Sequence, residues 1–320
     1  MRPSVWVLSL LLIGLAACGA NETAAPVPTL PPLLVVAVTP AALPSATLLP
    51  AYTPTYLPTL IPPTFTPLPT PTPAPTLTPF PTPDSDAHHR QLRLPILMYH
   101  YVGPWPADAD ELRRNLTVRP EDFAAQMQYL HDHGYMTVSL YDLIYALALG
   151  WPLPEKPVVL TFDDGYRDVA QHVAPAVQPY GYTGTVFVIT ELMDREFEPY
   201  LTWPQAEALY RQGWKIEPHT KTHEQLAGRD RDFQLYQMLG AVQTVQAHIG
   251  VQPRFFNYPA GKYDDLTLQL AREMNLWGGV SVNFGRVHTL DSIYTLARVR
   301  VNGQGTLSEF VAGLEGDLAP

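Results

Sequence analysis

From Thr23 to Pro83 the chain carries no Asp, Glu, Lys or Arg, and more than half of its 35 prolines fall in that interval. Proline lacks the N–H and fixes φ, so such a stretch cannot build a regular hydrogen-bond ladder. Runs such as Thr66-Pro67-Leu68-Pro69-Thr70-Pro71-Thr72-Pro73-Ala74-Pro75 favour extended polyproline geometry, rising about 3.1 Å per residue. The interval reads as a semi-rigid spacer. A fold must then come from the roughly 235 residues after it, enough for one sizeable core. Composition removes several classes. A single Cys excludes a disulfide framework and cysteine-based zinc modules. Asp+Glu 30 against Lys+Arg 20, a net charge of −10, argues against nucleic acid as the main partner. No stretch reaches the 18 or so apolar residues of a spanning helix.

The N-terminus reads as a processing signal. Met1-Arg2 supplies one positive charge and Val5 to Ala17 an apolar run of signal-peptide length. Leu15-Ala16-Ala17-Cys18-Gly19 resembles the bacterial lipoprotein signal, and the only thiol of the chain stands at its lipidation position. The resemblance implies a signal peptide over 1–17 and a lipid on Cys18, with a lipid-anchored disordered Pro/Thr-rich linker over 18–90 leading to one folded domain over 91–320. Acyl chains contribute about 0.8 kcal/mol per buried CH₂, so the expected place is the outer face of the bacterial membrane. The alternative is an ordinary cleaved signal with an incidental Cys.

After His88 short apolar runs alternate with amphipathic stretches. Leu94 to Tyr99, Val158 to Phe162, Gly184 to Thr190 and Phe255 to Tyr258 read as buried strands. Pro120 in a first turn, then Phe123, Met127 and Leu130 at helical spacing before Gly134, describe a helix. Asp232 to Ile249 and Leu266 to Leu276 describe two more. Strand-helix alternation implies a parallel α/β sheet, open or closed into a barrel, with ligands at the carboxyl ends of the strands.

Chemistry concentrates at two places. The strand ending in Phe162 runs into Asp163-Asp164-Gly165, two adjacent carboxylates whose mutual repulsion a cation would relieve. His219-Thr220-Lys221-Thr222-His223 places two imidazoles four residues apart, on one side of a helical turn, the spacing that puts two nitrogens on one ion. With Asp164 they form a His₂-carboxylate set that keeps positions open, as catalytic zinc sites do.

Thr161-Phe162-Asp163-Asp164-Gly165 followed by His219-Thr220-Lys221-Thr222-His223 resembles the first two motifs of the polysaccharide deacetylases, carbohydrate esterase family four. Leu94 to Asn302 is covered, including Ile96-Leu97-Met98-Tyr99-His100 and Tyr258-Pro259-Ala260-Gly261. The resemblance implies a distorted (β/α)₇ barrel and one divalent metal, usually zinc, held by Asp164, His219 and His223. It further implies Asp163 as general base, an oxyanion donor from the Tyr258, Pro259 and Gly261 turn, and an N-acetylated glycan as substrate. Three positions depart from the family pattern. Asn257 stands where an Arg is expected, Ala260 where a Tyr is common, and Leu296-Ala297-Arg298 where a Leu-x-His acid should be. In the branch resembling the poly-N-acetylglucosamine deacetylases an early Tyr-His replaces that acid, so Tyr99-His100 makes His100 the expected acid. Arg298 or Arg300 could brace Asp163; spacing leaves this open. Tyr258 and Tyr166, beside motif residues, are the aromatic candidates for a sugar cleft. Rival readings are an inactive glycan-binding module on the same fold and an O-acetyl xylan esterase.

Overall fold

The computed structural model describes residues 79–316, so the expected signal peptide, Cys18 and the spacer up to residue 78 lie outside the described residues. Seven parallel strands form the framework: β1 (Ile96–Tyr99), β2 (Pro157–Phe162), β3 (Thr185–Val188), β4 (Lys215–Pro218), β5 (Phe255–Asn257), β6 (Gly278–Phe284) and β7 (Leu296–Arg300). They hydrogen-bond in the order β4-β3-β2-β1-β7-β6-β5, every ladder parallel. Parallel strands are covered on both faces, which is why β1 and β3 are buried at every position and read as continuous apolar runs. Leu97 and Tyr99 pack with Phe123, Met127 and Leu130, whereas Ile96 packs with Leu140, Leu143 and Leu147.

Six helices of nine residues or more cover the strands among the described residues: α1 (Pro120–Asp132), α2 (Leu140–Leu149), α3 (Trp203–Arg211), α4 (Arg231–Ile249), α5 (Asp265–Glu273) and α6 (Leu307–Glu315). The three helices read from sequence are α1, α4 and α5. Their ends follow local chemistry. Pro120 opens α1, the Asp230 side chain accepts the Phe233 N–H at the start of α4, and Gly250, at φ 84, ends it. No described helix is long and apolar enough to cross a membrane.

The ring of strands is nearly closed. Among the described residues no ladder joins β4 to β5, and side chains span that seam instead. Glu217 Oε2 accepts the N–H groups of Arg254 and Phe255, each at 2.9 Å, while its Oε1 accepts Tyr141 Oη at 2.7 Å. The result is the distorted (β/α)₇ barrel expected from the motifs.

Packed chain begins upstream of residue 91, which corrects the expected start of the folded domain. Phe80 meets Trp277 edge to face at 5.9 Å, the Asp84 N–H donates to Ala148 O at 2.9 Å, and Ala87 is fully buried. Arg90 grips Asp84 through two bonds of 2.7 Å. Charge resumes at Asp84, and with it the polar contacts that fasten the backbone.

Candidate metal centre and active site

Strand register assembles the site. β1 pairs with β2 so that Tyr99 lies opposite Phe162, which brings the next residues, His100 and Asp163, to the same carboxyl end. Asp164, at φ 70, and Gly165, at φ 78, then turn the chain through left-handed backbone. A Cβ at Gly165 would stand 3.0 Å from Val188 Cγ1, so glycine is required there by both conformation and space. His219 follows β4, with its N–H on Val188 O at 2.8 Å.

The His219 to His223 segment is a loop, not the helical turn expected from the spacing. Thr220 and His223 both have φ 64, and Thr220 Oγ1 accepts the His223 N–H at 2.9 Å. Gln237 on α4 holds the loop, its Oε1 accepting the N–H groups of Lys221 and Thr222 at 3.1 Å.

Asp164, His219 and His223 converge as the motifs implied, their ligand atoms all within 4.8 Å of one another. His219 Nδ1 donates to the Asn257 carbonyl at 2.7 Å; a carbonyl only accepts, so the proton is on Nδ1 and Nε2 presents a lone pair. Asp164 Oδ1 lies 3.3 Å from both His219 Nε2 and His223 Nε2, is buried, and receives no hydrogen bond among the described residues. A buried oxygen facing lone pairs is costly unless a cation joins them. Two nitrogens and one carboxylate oxygen match the donor set of catalytic zinc. The residues present therefore fit a divalent metal.

Asp163 points elsewhere. Arg298 Nη1 donates to its Oδ1 at 2.7 Å and Nη2 to its Oδ2 at 2.8 Å, while Nη1 also reaches Thr161 Oγ1 at 3.1 Å. Burial pushes the Asp163 carboxyl up, but the Arg298 charge and then His100 override it, holding the acid below the usual carboxylate range. His100 Nε2 lies 3.8 Å from Asp163 Oδ2. Burial lowers the His100 imidazole, Asp163 opposes this, and Arg298 and Arg300 reinforce it. Arg298, not Arg300, is thus the brace that spacing left open. Asn257 supplies the His219 acceptor through its carbonyl and lies 3.4 Å from Arg298 through Oδ1. A backbone role leaves no trace in residue type, so sequence did not mark Asn257 as functional.

One expected aromatic contact is corrected, and the other is largely covered. Tyr258 is fully buried and its hydroxyl donates to Tyr294 O at 3.0 Å, so it offers no face to a sugar. Tyr166 is 8% exposed, with Tyr101 stacked at 3.7 Å and Tyr200 at 5.1 Å. The donors expected from the following turn are also largely engaged. The Tyr258 N–H goes to Val280 O at 3.5 Å, that of Gly261 to Tyr258 O at 2.8 Å, and Pro259 has none. Only the Ala260 N–H of that turn is not accounted for by these bonds.

A near-closed (β/α)₇ barrel with this acid and imidazole set at its carboxyl rim defines the class, a hydrolase of the deacetylase fold. The family model described as Polysaccharide deacetylase matches residues 151–278. YxkH of Bacillus subtilis (strain 168), named as a polysaccharide deacetylase, is 31% identical over 223 residues, covering 70% of this chain and 76% of that protein. The poly-beta-1,6-N-acetyl-D-glucosamine N-deacetylase of Escherichia coli (strain K12) is 32% identical over 130 residues, 36% of this chain and 18% of that protein. The solved structure of Streptococcus pyogenes deacetylase PplD in complex with acetate superposes with TM-score 0.65 at 28% identity, covering 71% of this chain and 100% of that one. The chain belongs to the polysaccharide deacetylase family.

Proposed function

We propose that the chain is a metal-dependent N-deacetylase of a cell-surface or extracellular polysaccharide, tethered through lipid on Cys18 to the outer face of the membrane. The orphaned Asp164 Oδ1 between two imidazole nitrogens, with a second, separately braced acid beside it, carries this reading. A glycan-binding module needs no such pair. The Cys18 motif supports the anchor, and the poly-N-acetylglucosamine relative supports an N-acetylated glycan.

Asp164, His219 and His223 would hold the ion, zinc by donor set. Bound there, it supplies Lewis-acid polarisation of the acetyl carbonyl and makes water more acidic. Asp163, kept ionised by Arg298, accepts the proton of the attacking water. In this reading His100, whose Nε2 is 3.8 Å from Asp163 Oδ2, takes that proton on through one bridging water and delivers it to the departing sugar amine. The pair therefore handles one proton between them. The Ala260 N–H is the remaining donor in the turn for the developing oxyanion.

Acetate release tests the assignment. The purified, zinc-loaded chain incubated with N-acetylglucosamine oligomers should liberate acetate, and chelation should stop it. Saturable binding of those oligomers without acetate would replace the enzyme with a glycan-binding module.

A further inference from the structure

A cavity of about 190 Å³ opens between the segment that follows β1 and the segment that follows β2. One of its walls is the Tyr101 ring, stacked on Tyr166 at 3.7 Å. Tyr101 directly follows His100 and Tyr166 stands two residues past Asp164, so this wall adjoins the candidate site through both segments. Asp168 Oδ2, which accepts the Val102 N–H at 2.7 Å, fastens the two segments to each other. The cavity is thus held at a fixed place beside the metal centre.

The charges around it are already engaged. The Arg113 guanidinium lies 3.3 Å from the centre of the Tyr101 ring, and its Nε donates to Thr117 Oγ1 at 3.1 Å. Arg167 Nε donates to Tyr200 O at 3.0 Å, while its Nη1 is 3.6 Å from Glu198 Oε1. Two lining side chains are left over. Exposed Gln171 and half-buried His172 have no side-chain partner among the described residues. An amide and an imidazole can each donate and accept, which suits hydroxyl groups better than a net charge. With tyrosine rings as the apolar side, that lining fits a neutral sugar. Its volume, below the roughly 300 Å³ at which drug-sized sites begin, holds one ring and no longer piece of chain.

We propose that this cavity binds the neutral sugar next to the one being deacetylated, with hydroxyls of that ring on Gln171 and His172. The inference rests on the deacetylase reading and deepens it, making the substrate an oligomer gripped by a unit that does not react. Binding energy from such a remote unit raises turnover of the reacting one. Gln171 and His172 are specificity residues; the acetyl transfer to water does not pass through them.

The test uses the full zinc-loaded chain with the methyl glycoside of N-acetylglucosamine and with the N-acetylglucosamine dimer. The dimer should be preferred by about tenfold in kcat/KM, equivalent to ~1.4 kcal/mol and beyond the doubling that a second acetyl group gives. Gln171→Ala combined with His172→Ala should remove the excess over that doubling. Gly103→Leu should remove it as well, from the facing wall: a Cβ at Gly103 would stand 3.9 Å from His172 Cδ2, an ordinary contact, so the longer side chain fills the cavity and leaves both polar groups in place. A dimer no better than its acetyl count overturns the proposal, as does an excess that survives either change. A dimer whose second unit is glucuronic acid should gain nothing further, and a large additional gain would make charge the determinant and overturn the neutral-sugar assignment. Should no substrate release acetate, the deacetylase reading fails separately, and calorimetric binding of dimer against glycoside, in the wild type and in both variants, still decides whether the cavity holds a sugar.

Discussion

Asp163 is a buried carboxylate whose desolvation favours the neutral form, and Arg298 keeps it charged by holding both oxygens. Removing either partner has a different consequence. Arg298→Gln leaves an uncompensated buried anion and should cost about 3 kcal/mol in denaturant unfolding. Asp163→Asn should retain bound zinc by elemental analysis while kcat falls at least about 10²-fold, the share of a general base. Asp168 offers a cleaner pH test. Its Oδ2 accepts the Val102 N–H at 2.7 Å while Oδ1 is buried without a hydrogen-bond partner among the described residues, and burial pushes the carboxyl from 3.8 up to about 7. Folding thus favours the protonated form, a contribution whole below about pH 4 and lost as pH rises through about 7. Urea unfolding at about pH 5 and about pH 8 should show that slope, on the order of 3 kcal/mol, and Asp168→Asn should flatten it. The acids and imidazoles were legible as motifs. Arg298 was not, because spacing does not distinguish it from Arg300; strand register does.

At the scale of elements, the strands were readable because parallel strands covered on both faces are uniformly apolar, as in Ile96–Tyr99. The His219 loop was misread as a helical turn because a spacing of four also fits a chain with two left-handed residues. Gln237, donated by α4, decides between them and is invisible locally. Tyr258 was expected at the cleft for a related reason: nothing nearby in sequence shows that Gly279 on β6 leaves room for its ring, where a Cβ would come within 2.3 Å of its hydroxyl. Gly165 links element to site. Adding a methyl there meets Val188 and forbids the φ of 78, so Gly165→Ala should cost about 1–2 kcal/mol of stability. Because the same turn aims Asp164, zinc affinity in that variant should fall by roughly tenfold in competition with a chelating dye.

For the molecule as a whole, the seam between β4 and β5 is the weak line of the barrel, and the site is built across it. Glu217 ties β4 to the start of β5, and His219 ties the end of β4 to the Asn257 carbonyl at the end of β5. Metal binding on the β4 side therefore also fixes β5 and the turn after it, so zinc should raise the thermal midpoint as well as activity. The lead-in over 79–90 contributes from another direction, laying Phe80 on Trp277 and Asp84 on the end of α2. Composition placed the domain boundary too late because Phe80 belongs to the charge-free interval by sequence but to the barrel by packing. Chains starting at residue 79 and at residue 91 separate the two assignments. The first should match the full chain in soluble acetate release and thermal midpoint. The second loses the Phe80 contact, the buried Ala87 and the Asp84 to Arg90 pair, and should unfold about 2 kcal/mol more easily. Equal stability of the two would return residues 79–90 to the spacer.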